Sequence, residues 1–246
     1  MSFQEGDFVL IVAGDRKYLR RLTKDFSLNF KDKLLKLEHV LGKSAGQEVN
    51  GFCLLKPTLE DLILLGFERK TQIVYPKDSF YVAFKLGLSS QSRLLEFGVG
   101  SGASTAVFSS LAGEVWAYEV RQDFCKLAKK NWDKFGLCQN VRLENVDFKE
   151  AQVEEDFFDC AFVDVKDPAP YMEKVWRALK SGATFASLMP TANQVAQLLK
   201  VMEPLFCAVE VLEVLHRGYK ANPERLRPQD TMVAHTGYLV FARKRT

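Results

Sequence analysis

The sequence is poor in the features that staple, metallate or embed a protein. Its five cysteines (Cys53, Cys125, Cys138, Cys160 and Cys207) form no Cys-x-x-Cys pair. An odd number of them, without a recognisable secretory signal, speaks against a disulfide framework and leads to the expectation of a reducing, cytoplasmic setting. Histidine is rarer still: His39, His216 and His235 lie far apart and have no zinc-ligand spacing, so no metal is expected. No apolar run approaches the roughly 20 residues of a membrane helix, and no membrane association is expected. Internal repeats, low-complexity tracts and coiled-coil heptads are missing too. Charge of one sign is not in excess: 34 Lys and Arg against 31 Asp and Glu leave a net charge of +3, too little to argue for or against a nucleic-acid partner.

What is present is enough apolar material for a full core, 47% of 246 residues, in one large domain or a small one joined to a medium one. The first 60 or so residues read as short extended pieces, "DFVLIVAG", "YLRRL", "FSLNF" and "KLLKLEHV", divided by Gly-, Asp- and Lys-rich turns. In "FSLNF" the alternation of Phe26, Leu28 and Phe30 makes a one-sided strand that needs a second layer. Residues 1–60 are therefore expected to form a small β domain. "KPTLEDLILLGF" reads as a connecting helix with Thr58 as N-cap and Glu60 and Asp61 in its first turn.

From about Thr71 the pattern changes to short apolar strands alternating with helix-period segments, which marks a parallel sheet covered on both faces and a second domain, with the connecting helix, over 61–246. The strands are "RLLEF", "EVWAYEV", "VRLENVD", "FDCAFVDV" and "ATFASLMP". The helices include "STAVFSSLAG", "QDFCKLAKKNWDKFG" closed by Gly136, and "YMEKVWRALKSG" stopped by Gly182. "TANQVAQLLKVMEPLF" repeats the helical spacing, so Trp176, Met172 and Met202 read as core. "AVEVLEVLHRGYK" and "MVAHTGYLVFARK" suggest an antiparallel hairpin at one sheet edge.

The chemistry centres on "LEFGVGSGAS", residues 95–104. Gly98, Gly100 and Gly102 permit a tight strand-to-helix turn whose backbone closely approaches a ligand. Ser104 follows on the helix and counts among the cofactor contacts. The same turn fits the dinucleotide fingerprint of an oxidoreductase, with Ala103 in the last place. Acids at the ends of three successive strands, Glu96, Glu119 and Asp147, favour S-adenosylmethionine instead, because carboxylates attract its ammonium and sulfonium and repel a pyrophosphate. Glu119 suits the two ribose hydroxyls and Asp147 the adenine amino group.

With these residues in place, the chain resembles the tRNA adenine-58 N1-methyltransferases, a family of class I S-adenosylmethionine-dependent enzymes. The resemblance is carried by "TQIVYPKDSFYVAFKLGL" at 71–88, the glycine loop with "YEV", and "RPQDTMVAHTGYLVFARK" at 227–244. "KLEHVLGKSAGQEV" and "KPTLEDLILLG" are similar to the family's N-terminal β region and its connection. The resemblance implies an α/β, Rossmann-like seven-stranded methyltransferase sheet with a small N-terminal β domain, a homotetramer, and tRNA as substrate. It also implies Gln72 and Tyr75 beside the cofactor and Asp164 as the active-site aspartate. Where relatives carry a Trp after that aspartate, this chain has "DVKDPAPY", which keeps Pro168 and leaves substrate breadth, including an adjacent adenine, open.

Two basic clusters fit a polyanion. "DRKYLRRLTK" at 15–24 holds five Lys and Arg, and "HRGYKANPERLRP" at 216–228 holds four. Arg225 and Arg227 are the expected phosphate contacts; Tyr238, with Tyr18 and Tyr219, is a candidate for stacking on RNA or for covering the core. His235 and Thr236 read first as structural. The competing functions are another RNA adenine methyltransferase, a dinucleotide-dependent oxidoreductase and a non-enzymatic RNA-binding protein.

Overall fold

The computed structural model describes residues 2–246 and divides into two compact units, one running to Phe67 and the other Glu68–Thr246. In the first unit, β1 (Phe8–Ala13), β2 (Arg16–Arg21), β5 (Glu48–Val49) and β6 (Phe52–Leu55) form an antiparallel sheet in the order β2-β1-β6-β5. β3 (Ser27–Phe30) pairs with β4 (Lys33–Lys36), followed by the short α1 (Leu37–Val40). Phe26 and Leu28 face the small core with Ile11, Leu35, Phe52 and Leu54, as the alternation in "FSLNF" requires.

The unit boundary falls later than residue 60, because the helical stretch after it belongs to the first unit. α2 (Leu59–Asp61) continues as a π turn over Leu62–Gly66. Thr58 caps it as read: its Oγ accepts from the Asp61 N–H, while Asp61 accepts from the Thr58 N–H. Lys17 on β2 lies 3.8 Å from the Asp61 carboxylate and ties the helical stretch to that strand.

The second unit is built on a seven-stranded sheet. α3 (Pro76–Leu86) leads in, with Pro76 at its first turn and Gly87 ending it at φ +69°. Then follow β7 (Arg93–Phe97), α4 (Ala103–Ser109), β8 (Glu114–Tyr118), α5 (Gln122–Phe135), β9 (Val141–Glu144) and β10 (Phe158–Val163). α6 (Met172–Ala178), β11 (Leu179–Met189), α7 (Ala192–Met202), β12 (Phe206–Leu212), β13 (Tyr219–Lys220), β14 (Arg227–Pro228) and β15 (Tyr238–Lys244) complete the chain. The sheet order is β12-β15-β11-β10-β7-β8-β9, parallel from β11 to β9 and antiparallel at β15 and β12. The edge hairpin and the class I methyltransferase architecture are thus present, and β13 pairs with β14 in a separate two-stranded ribbon.

Two elements differ from the reading: Leu37–Val40, read as the end of an extended piece, forms the short helix α1, and the second difference is at Gly182. Gly182 does not stop a helix: α6 ends at Ala178, and Gly182 lies inside β11 at φ +72°, where the pairing with β10 shifts between Phe158 and Cys160. Burial of Leu179 pulls the chain into the sheet, and the Asp156 and Phe157 N–H groups bond the last two α6 carbonyls. Met172, Met202 and Trp176 pack in or against the core, as expected. Among the described residues no helix is long and apolar enough to span a membrane, and no His, Cys, Asp and Glu cluster could hold a metal.

Candidate active site

Strand order reverses beside β7, whose neighbours are β8 on one side and β10 on the other. Loops leaving the carboxyl ends of such strands splay apart and leave a crevice. Here that crevice is a cavity of about 590 Å³, lined by the glycine loop, by Glu119 and Val120 after β8, and by Asp164 and Lys166 after β10.

Gly98 is dictated by geometry. At φ +89° a Cβ would lie 2.0 Å from the Asp164 carbonyl oxygen, so only glycine lets the β7 and β10 ends close on each other. The Asp164 N–H then donates to the Phe97 carbonyl at 3.1 Å. Gly100, at φ +56°, has open space on its Cβ side, and its N–H donates to Glu119 Oε2 at 3.0 Å. Glu119 is itself pinned, since its Oε1 accepts from the Arg121 N–H at 2.9 Å and its carbonyl from Asn145 at 2.7 Å. Each carboxylate oxygen keeps a second lone pair for a ligand hydroxyl.

Gln72 and Ser104 line the same cavity, together with the apolar Ile73, Val74 and Phe124. Asp164 is raised from the usual 3.8 to about 7, first by burial and then by the negative charge of Glu119. Two carboxylates facing one cavity make it a setting for cationic ligands.

Other expected contacts stand elsewhere. Glu96 is fully buried behind the loop; Ser104 Oγ donates to its Oε1 at 2.8 Å and its Oε2 has no partner. It braces Ser104 and does not line the cavity, and burial raises its carboxyl from 4.5 to about 7. Gly102 also faces inward: a Cβ there would meet Trp132 Nε1 at 2.4 Å, and the Trp132 indole N–H donates to the Gly102 carbonyl at 3.0 Å. Tyr75 is the N-cap of α3 and does not line the cavity. Asp147 is likewise outside the lining and accepts from the Lys149 N–H in its own turn at 2.9 Å.

Arg225 and Arg227 are exposed and do not line the cavity; they lie on a segment that runs from the end of β12 to the start of β15. Arg227 pairs with Asp230 at 2.5 Å. Tyr238 opens β15 opposite Met189 and packs on the core and on the His235 ring, centroids 4.9 Å apart, as a core-covering tyrosine. His235 has an acceptor at each ring nitrogen, Glu213 at 2.5 Å and the Pro190 carbonyl at 3.1 Å, and the Glu213 bond raises its pKa. Val120 and Lys166 were not anticipated. Val120 had a visible signal, an apolar side chain just beyond the acid-tipped strand; it is 64% exposed at the cavity.

The family model of the tRNA methyltransferase complex GCD14 subunit matches residues 51–230. The tRNA (m1A58) methyltransferase TrmI of Aquifex aeolicus is 55% identical, covers 100% of both chains and superposes with a TM-score of 0.97. A structure from Thermotoga maritima described as a SAM-dependent O-methyltransferase is 42% identical over 100% of this chain and 95% of its own, with a TM-score of 0.92. The tRNA (adenine(58)-N(1))-methyltransferase TrmI of Thermus thermophilus is 33% identical over 193 residues, 77% of this chain and 75% of that protein. With its glycine loop, acid-tipped strands and sheet order all in place, the chain belongs to the TrmI family of class I S-adenosylmethionine-dependent tRNA methyltransferases.

Proposed function

We propose that this enzyme transfers the methyl group of S-adenosylmethionine to N1 of adenine 58 in the T loop of tRNA. The observation that carries the reading is the meeting of Glu119 and Asp164 on one cavity, in a chain similar over its whole length to the Aquifex aeolicus enzyme.

The residues fit this cofactor better than a dinucleotide. The Gly100 N–H, which would face a pyrophosphate in a dinucleotide site, is already given to Glu119. The carboxylate left in the cavity would repel phosphate and attract a sulfonium and an ammonium. Bound there, the cofactor supplies an electrophilic methyl group on a positively charged sulfur. Glu119 accepts from the ribose diol, Gly98 and Gly100 keep the backbone clear of side chains, and Ile73, Val74 and Val120 offer apolar walls to a flat ring.

The neutral adenine N1 has a lone pair, so attack on the methyl carbon needs no prior proton removal. Asp164 accepts from the exocyclic amino group, orients N1 toward the methyl carbon, and faces the positive charge that develops on the base. A hydroxyl acceptor, which the Thermotoga maritima description implies for that protein, must instead lose a proton. Supporting a large polyanionic acceptor are Arg217, Lys220, Arg225 and Arg227 on the exposed segment between β12 and β15.

A homotetramer belongs to the same reading. Val209 and Val211 are 42% and 40% exposed on edge strand β12, and Leu226 and Val233 are more exposed still, which suits coverage by further copies of the chain. We also assign the reaction to the cytoplasm, in keeping with five free thiols.

The test is incubation of unmodified tRNA with labelled cofactor, nuclease digestion and position mapping. One N1-methyladenine at position 58 is expected. Label on ribose, on another base only, or on no RNA overturns the assignment.

A further inference from the structure

The segment 213–237 is an arm between β12 and β15, and both strands meet it at the carboxyl edge of the sheet, where β11 ends at Met189 opposite Tyr238. That is the edge on which the cavity opens. Apart from the β13–β14 ribbon the arm has little secondary structure, and Leu215, Tyr219, Leu226 and Val233 are all more than half exposed. A segment with so few buried contacts has no intrinsic reason to hold one orientation.

Its two ends are nevertheless joined by a single ammonium group. Lys77 Nζ donates to the Val214 carbonyl at 2.7 Å, to Thr236 Oγ1 at 2.7 Å and to Asp78 Oδ1 at 2.8 Å. Thr236 Oγ1 donates in turn to Asp78 Oδ2 at 2.8 Å. All three ammonium protons and both carboxylate oxygens are used, and Asp78 is wholly buried. One residue earlier on each side, His235 and Glu213 repeat the closure.

Lys77 and Asp78 stand in the first turn of α3, immediately after the stretch whose Gln72, Ile73 and Val74 line the cavity. The Asp78 and Ser79 N–H groups both bond the Tyr75 carbonyl. The arm and the cofactor wall therefore share one rigid anchor. An apolar plug could close a loop base as stably as a buried ion pair does. What the network adds is direction: each of its bonds fixes an angle, whereas an apolar contact tolerates sliding.

We propose that Lys77, Asp78 and Thr236 are positioning residues that clamp the basic arm to the cofactor end of α3, and so set where an RNA held by the arm delivers its base relative to Asp164. The proposal rests on the tRNA reading above. With the clamp closed, RNA binding does not have to order the arm first.

Thr236→Val keeps the side-chain volume and removes both hydroxyl bonds, and the double variant Lys77→Met with Asp78→Asn removes the joining ammonium and its ion pair without leaving a lone buried charge. Each is expected to raise the KM for tRNA about tenfold. The dissociation constant for S-adenosylmethionine is expected to stay at the parent value, and Thr236→Ser to restore the parent KM. A parent KM in either folded variant, cofactor affinity falling in step with tRNA affinity, or no rescue by serine overturns the clamp. If one variant does not fold, the other decides. If the parent methylates no tRNA, the functional reading fails by itself. Protease cleavage within 215–233 then reports on the clamp: faster cutting of the variants supports it, and an unchanged rate overturns it.

Discussion

The glycine loop and the arm rise from the same edge of one sheet, yet they are held by opposite means. Residues 98–102 are fixed by partners close at hand: Gly98 against the Asp164 backbone, Gly100 on Glu119, Gly102 against Trp132. Space decides there, since a methyl group at two of the three positions would overlap a neighbour. The arm has no such confinement and is directed by charged groups drawn from α3, far away in sequence. The difference separates two tasks. In the proposed function, a small cofactor would meet a backbone shape set by close contacts, while a large polyanion would meet the cations of an arm tied down at its base.

That contrast breaks most visibly at Asp164, where the two sides meet. Asp164→Ala is expected to lower single-turnover methylation about 10²–10³-fold at saturating tRNA and cofactor, with Asp164→Asn less severe and cofactor affinity little changed. In the proposed mechanism the carboxylate is the working form, and burial, with the Glu119 charge, raises its pKa to about 7. The parent kcat/KM is therefore expected to rise with pH through about 7 and level off above it. The Asn variant should show no such limb, and a parent profile already flat from pH 5 to 9 would remove Asp164 from this role.

Glu119→Ala acts first on the cofactor side. Loss of charged hydrogen bonds to the ribose diol is expected to weaken S-adenosylmethionine about 100-fold by calorimetry, with tRNA affinity unaltered. Because Glu119 also helps raise the Asp164 pKa, any residual activity should show its acid limb at lower pH.

On the arm, Arg225→Gln with Arg227→Gln is expected to weaken tRNA about tenfold and to flatten the slope of log K against log salt by about 2, since two fewer counterions are released. Cofactor binding should be untouched. An unchanged salt slope in an intact oligomer would take phosphate contact away from both arginines.

A last effect concerns stability and leaves the comparison of activities aside. Glu96 titrates at about 7 in the folded protein against an ordinary 4.5. Its favourable contribution is therefore complete below about 4.5 and is lost as pH rises through about 7, a cost on the order of 3 kcal/mol at pH 8. Glu96→Gln keeps an acceptor for Ser104 and should raise the Tm at pH 8 while leaving it nearly unchanged at pH 4.5. Equal shifts at both values would contradict the buried carboxyl account.

The loop and the arm also differed in how well they could be read. Thr58 and Gly136 announce helix ends because caps act within a turn, and Glu119, just past a strand end, marked the cavity. Spacing could not tell which way an acid points: Glu119 faces the cavity, while Glu96 turns into the core and Asp147 into its own turn. Gly182 misled because a bulge in β11 looks, in sequence, like a helix stop; only the pairing with β10 distinguishes them. Lys77 and Thr236 are 159 residues apart, so no local pattern could have joined them.

The most direct measurement compares single-turnover methylation of unmodified tRNA with that of the same tRNA carrying guanine in place of adenine 58, with the product mapped in both. The account predicts one methyl group on N1 of adenine 58 in the first RNA and transfer largely abolished in the second. Equal transfer to both, or none to either by a folded protein that binds S-adenosylmethionine, would contradict it.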